Sequence, residues 1–127
     1  TQKTLPFLND GGGIVNISAG LARFSFPGSA AYAAMKGAIE TLTKYQAKEL
    51  GGRKIRANII APGVIETDFR GGAVRDNPEM NKQIASLTAL GRVGLPDDIG
   101  SVVAFLCTED SKWISSQRIE VSGGMML

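Results

Sequence analysis

The sequence predicts an α/β fold, a doubly wound parallel sheet, of which these 127 residues supply only a part. Three observations carry that expectation. Short apolar runs bounded by glycine or proline alternate with longer segments of helical rhythm, in the order helix, strand, helix, strand, helix, strand. Glycine, at 16 of 127 residues, exceeds its usual share of roughly 7% without any low-complexity tract, which points to tight turns and close backbone approaches. Three strands are also few for a sheet that needs helices on both faces and neighbours on both sides of its middle strand. The first strands are therefore expected upstream, and the chain begins at Thr1 without a methionine.

The elements follow in order. Thr1–Asn9 reads as the last turns of a helix, with Leu5 and Leu8 apolar, stopped by Asp10-Gly11-Gly12-Gly13. Ile14-Val15-Asn16-Ile17 is a nearly continuous apolar run, the pattern of a buried parallel strand. A loop over Ala19–Ser29, containing Pro27-Gly28, leads into the clearest helix, Ala30–Leu50. There Tyr32, Met35, Ile39 and Leu42 set out one apolar face, Thr41, Lys44, Lys48 and Glu49 the polar side, and Gly51-Gly52 the end. Ile55–Ala61 is a second strand, closed by Pro62-Gly63. Thr67–Leu90 is polar and irregular, with a short helix after Pro78. Pro96 opens a further helix at the position proline prefers, with Asp97 and Asp98 in the first turn and Ile99, Val102, Val103 and Leu106 facing inward. Arg118–Val121 is the third strand, followed by Gly123-Gly124. Neither a repeat nor a linker appears.

Composition removes much of the catalytic menu. With no histidine and one cysteine there is no Ser-His-Asp or Cys-His pair, no zinc site of paired histidines and no cysteine cluster. Cys107 alone forms no intrachain disulfide, so nothing marks a secreted, stapled fold. The net charge of +2 comes from scattered basic residues, which argues against a nucleic-acid partner. The longest charge-free runs, Gly11–Ala22 and Phe24–Met35, are too short to span a bilayer, and the N-terminus has no apolar signal segment. A cytoplasmic protein with no membrane partner is the expectation.

The acid–base candidate is then Tyr32 with Lys36, four residues apart on one helix face among Ala30, Ala31, Ala33, Ala34, Gly37 and Ala38. A tyrosine with a pKa of about 10 is a poor proton donor near neutrality. A lysine ammonium held beside it stabilises the phenolate and makes it usable. Tyrosine and lysine at this spacing also occur by chance, with the ring in the core and the ammonium in water.

Tyr32-Ala33-Ala34-Met35-Lys36-Gly37-Ala38 resembles the Y-x-x-x-K active-site helix of the short-chain dehydrogenase/reductase family. Four more segments are similar to that family in the same order: Gly13–Ser18, Asn58–Thr67, Leu90–Ile99 and Glu120–Gly124. The resemblance implies a Rossmann-like, doubly wound domain, residues 1–127 being its C-terminal half, with NAD or NADP as cofactor. It implies hydride transfer between nicotinamide and a small-molecule carbonyl or alcohol, and a homo-oligomer, dimer or tetramer, packed through the Ala30–Leu50 helix. Tyr32 would be the general acid/base, and Lys36 would tune it and hold the nicotinamide ribose. Pro62, Gly63, Val64 and Ile65 would line the nicotinamide pocket, and Thr67 would bond the carboxamide or diphosphate.

Two departures accompany the resemblance. Thirteen residues before Tyr32, where the family carries its catalytic serine, stands Ala19, preceded by Ser18. Either the loop holds one extra residue and Ser18 is the catalytic serine, or the hydroxyl is absent and Ser18 faces the wrong side; Ser25 and Ser29 lie in the same loop. The family's glycine-rich T-G-x-x-x-G-x-G turn is not among these residues; Gly11-Gly12-Gly13 precedes a strand and is no substitute. Phe69, Arg70, Val74, Arg75 and Met80 fall in what would be the substrate lid, hinged at Gly71-Gly72. The alternative function is a catalytically degenerate relative that serves as an oligomerising scaffold.

Overall fold

A computed structural model describes all 127 residues. Three parallel strands lie side by side in the order β1 (Gly13–Ile17), β2 (Arg56–Pro62), β3 (Arg118–Val121). In the register, Asn16 pairs with Ile59, and Ile59 pairs with Arg118. The helices are α1 (Ala30–Leu50), α2 (Pro78–Ser86) and α3 (Pro96–Leu106). The alternation expected from sequence is present, and the three strands with their crossover helices form a Rossmann-like sheet.

The core is centred on β2. Ala57, Asn58, Ile59, Ile60 and Ala61 are all at most 1% exposed, as expected of a strand paired on both sides and covered on both faces. With β2 paired on both sides, only the outer side of β1 and the outer side of β3 are unpaired. β1 is correspondingly less buried, with Ile17 44% exposed.

Alternation of side chains along β1 and β2 sends Asn16, Ser18 and Ile59 towards α1, and Arg56, Asn58 and Ile60 towards α3. Two further sequence expectations need correction. Thr1–Asn9 holds only a short 3-10 turn, Leu5–Phe7, and no α-helical end. The face of α1 that meets the sheet is also not the Tyr32, Met35, Ile39, Leu42 stripe. Met35 is 68% and Leu42 48% exposed, whereas Thr43, Gln46 and Leu50 are buried. The reason is a polar seam: the Asn16 amide donates to Thr43 Oγ1 at 2.8 Å and to Gln46 Oε1 at 2.7 Å. A half-buried amide facing a helix still needs partners, so the helix presents polar residues to it, and an apolar pattern does not reveal that face.

α2 and α3 start as their sequences require. Asn77 caps α2 by accepting from the Met80 amide, ahead of Pro78. At α3, Asp98 accepts from the Leu95 amide and pairs with Arg92. Those bonds, the Arg92 guanidinium first and the Leu95 amide second, hold the Asp98 carboxyl well below the usual carboxylate range. Ile99, Val102 and Val103 are half-buried and Leu106 is buried, as the sequence indicates.

Candidate active site

Parallel strands deliver their following loops to one end of the sheet, the carboxyl end, where open α/β sheets place their ligands. Here those loops are the β1 exit (Ser18 onward), the β2 exit (Pro62–Thr67) and the β3 exit (Ser122–Gly124). The N-terminal turns of α1 stand beside them.

Tyr32 is half-buried on α1, and the Lys36 ammonium lies 5.5 Å from the centre of its ring. Lys36 Nζ donates to the Ile17 carbonyl at 2.9 Å, so the last carbonyl of β1 fixes the lysine. On the other side the Phe69 ring centre is 6.1 Å from that of Tyr32, with the planes tilted by 48°. The loop after β2 is thereby brought to the tyrosine. Phe69 is 62% exposed, and Arg70 stacks on its outer face at 5.9 Å.

Ser18 does not join that group. It is 2% exposed, and its hydroxyl donates to Glu40 at 2.6 Å and lies 3.2 Å from the Lys36 carbonyl oxygen. Its orientation towards α1 follows from strand alternation, since Asn16 points the same way. Glu40 Oε1 also accepts from Arg118 Nε at 2.7 Å. Arg118 reaches Ala19 O at 3.3 Å and Glu120 at 2.9 Å. Glu120 in turn accepts from Arg23 and from the Ser122 hydroxyl, and Arg23 donates to the carbonyls of Met125 and Met126. The Glu120 carboxyl is lowered to about 2, chiefly by the Arg23 guanidinium; burial opposes this, and Arg118 and Ser122 add to it. This alternating chain of acids and bases ties the β1 exit to α1, β3 and the C-terminal turn.

Sequence reading missed these charges. Glu40 carried a signal, because it continues the Tyr32, Lys36 ladder by four more residues along the same face. Arg118 and Glu120, two residues apart on the third strand, share one of its faces and carried one as well, whereas Arg23 carried none, since its partners are remote in sequence.

The β2 exit is held tightly. Gly63 donates to the Val121 carbonyl at 3.0 Å, and a Cβ at Gly63 would stand 2.9 Å from Ser122 Cα, so only glycine fits there unstrained. Val64 O accepts from Gly94 N at 3.0 Å, and Glu66 N donates to Gly94 O at 2.9 Å. The amides of Val64 and Ile65 have no acceptor within the chain. The Thr67 hydroxyl accepts from the Phe69 amide at 3.2 Å and keeps its own proton free to donate. Pro62 through Thr67 are all half-buried, a rim of free donors beside apolar side chains.

Residues 1–126 match the protein-family model described as enoyl-(acyl carrier protein) reductase. The chain belongs to the short-chain dehydrogenase/reductase family. Among solved structures it is similar to the promiscuous reductase LugOII, which catalyses keto-reduction at C1 during lugdunomycin biosynthesis. That likeness has 43% identity and a TM-score of 0.92 over 99% of this chain and 49% of that one. The angucycline C-6 ketoreductase LanV, solved with bound NADP, matches at 36% identity and a TM-score of 0.90, over 98% of this chain and 48% of that one. The 3-oxoacyl-[acyl-carrier-protein] reductase FabG of Thermotoga maritima is 37% identical over 130 residues, covering 100% of this chain and 51% of that protein. The chain thus spans about half the length of the curated relatives it matches. No helix is long and apolar enough to cross a membrane, and no group of three or more metal-ligating side chains occurs.

Proposed function

We propose that this chain is the C-terminal half of an NAD(P)-dependent oxidoreductase that reduces a small-molecule carbonyl to the alcohol, or runs the reverse oxidation. The observation that carries the proposal is the Tyr32–Lys36 pair anchored to the β1 exit, where Lys36 Nζ meets both the tyrosine ring and the Ile17 carbonyl. The names of LugOII, LanV and FabG, all reductases, support the direction towards reduction, and the NADP bound to LanV supports that cofactor.

In this reading the bound nicotinamide supplies or accepts the hydride. The chain's own residues do the rest. Tyr32 holds the proton that reaches the carbonyl oxygen during reduction and takes it back from the hydroxyl during oxidation. Lys36 keeps a positive charge beside the phenolic group and offers its remaining protons to the ribose. Pro62, Gly63, Val64 and Ile65 form the wall against the nicotinamide, the unpaired Val64 and Ile65 amides serving its carboxamide oxygen. Thr67 donates its free proton to the carboxamide or diphosphate. Ser18 braces the β1 exit through Glu40 in this arrangement.

The Met35, Leu42 and Tyr45 stripe, exposed along α1, supports pairing with a second copy through that helix. A second reading, an oligomerising module without turnover, rests on that same stripe and on the commitment of the Ser18 hydroxyl to Glu40. The test is carbonyl-dependent oxidation of NADPH or NADH by the complete polypeptide that contains this chain. Turnover supports the enzyme. Association of copies with no turnover of any ketone or alcohol supports the module.

A further inference from the structure

The β1 exit brings no free hydroxyl to Tyr32. Ala19 has none to offer, and Ser18 spends its own on Glu40. One hydroxyl on the same wall has the opposite character. Ser29, the residue that caps α1, is 5% exposed, yet its side chain makes no capping bond and no other hydrogen bond within the chain. Every fully enclosed polar side-chain atom in the structure has a partner. The Ser29 oxygen, lacking one, therefore opens onto a surface. That surface is a recess of about 330 Å³ lined by Leu21, Phe26, Pro27, Ala30, Ala33 and Ser29 itself. A buried hydroxyl left without a partner costs free energy unless a ligand or water completes it.

Position relates this hydroxyl to the chemistry. Ser29 precedes Tyr32 by three residues, so the two share adjoining positions on the helix surface. Long side chains on a helix lean towards its N-terminus and cover the preceding turn, and Ser29 lies in the turn before Tyr32.

We infer that Ser29 is a substrate-binding and catalytic residue: its hydroxyl donates a hydrogen bond to the carbonyl oxygen that Tyr32 protonates. It takes the part that Ala19 is unable to play. Ser29 transfers no proton. It stabilises the negative charge that gathers on the oxygen as the carbonyl is reduced, and the substrate's apolar body occupies the recess beside Phe26 and Leu21. The inference rests on the carbonyl reductase reading above.

The test uses the complete polypeptide, NADPH, and two carbonyl probes, ethyl acetoacetate and tetralone. Ser29→Ala is expected to lower kcat on the order of tenfold to a hundredfold, the usual cost of one donor to a developing oxyanion. KM for NADPH stays within about twofold, because the hydroxyl touches substrate and not cofactor. The melting temperature stays unchanged, because no intrachain hydrogen bond is lost. Adding Ala19→Ser to Ser29→Ala restores turnover, which a packing role for Ser29 would not permit. Three results overturn the inference: unchanged kcat in Ser29→Ala, a lowered melting temperature that accounts for the loss, or no rescue by Ala19→Ser. Wild-type turnover that disappears in Tyr32→Phe but persists in Ser29→Ala removes this inference alone. Absence of wild-type turnover on both probes removes the reductase reading and this inference with it.

Discussion

The Ser18 hydroxyl donates to the Glu40 carboxylate at 2.6 Å, and the same carboxylate oxygen receives Arg118 at 2.7 Å. One half-buried acid on α1 thus joins two strands, β1 through Ser18 and β3 through Arg118. Because Lys36 is held by the Ile17 carbonyl, one residue before Ser18, the clamp fixes the strand end on which the lysine rests.

Replacing Glu40 by Gln keeps the shape but removes the charge from two hydrogen bonds. Bonds to a charged group contribute about 1.5 to 3 kcal/mol each when buried. Glu40 and Arg118 side chains retain about a fifth to a quarter of their exposure, so the lower part of that range applies. The expected loss is about 1 to 3 kcal/mol of unfolding free energy, read from urea denaturation of the complete polypeptide. An unchanged denaturation midpoint contradicts the clamp.

Acid weakens the same network from its other end. The Glu120 carboxyl lies at about 2 in the folded chain against an ordinary value of 4.5. A depressed carboxyl contributes stability that is fully present above its unfolded pKa and is lost as pH falls towards the folded one. Melting temperature is therefore expected to drop between pH 4.5 and about 2, with a shallower drop in Glu120→Gln. Asp98, held low by Arg92, titrates in the same direction and leaves a residual slope in the variant. Equal slopes in both proteins count against the assignment to Glu120.

The unpaired side of β1 predicts how residues 1–127 behave when isolated. A strand edge with an apolar flank, here Ile17 at 44% exposure, pairs with other chains. The isolated segment is expected to aggregate or to melt without cooperativity, in sedimentation and calorimetry respectively. A soluble monomer with one sharp transition would mean that the three-stranded sheet is self-sufficient.

The order of elements was legible in the sequence because it rests on local signals. α1 ends at Leu50 just before Gly51-Gly52, Pro96 starts α3, and the Ile-rich run of β2 is the buried centre. The Tyr32 and Lys36 pair was legible for the same reason, as was the apolar face of α3. What escaped is long-range and polar. Asn16 turns α1 so that Thr43 and Gln46 face the sheet, which leaves Met35 and Leu42 outside. Spacing alone left open whether Ser18 pointed to Tyr32 or away, and a carboxylate 22 residues further on settled its partner.

Tyr32→Phe isolates the phenolic hydroxyl as the proton donor. The substitution removes one oxygen and leaves the ring beside Phe69 and the Lys36 ammonium in place. The measurement is the steady-state rate of ketone-dependent NADPH oxidation by the complete polypeptide, alongside its melting temperature. The expected result is a fall in kcat of at least about a hundredfold, in line with the loss of a positioned general acid, with melting unchanged. Turnover in Tyr32→Phe within about twofold of wild type would show that the proton comes from elsewhere and would contradict the assignment.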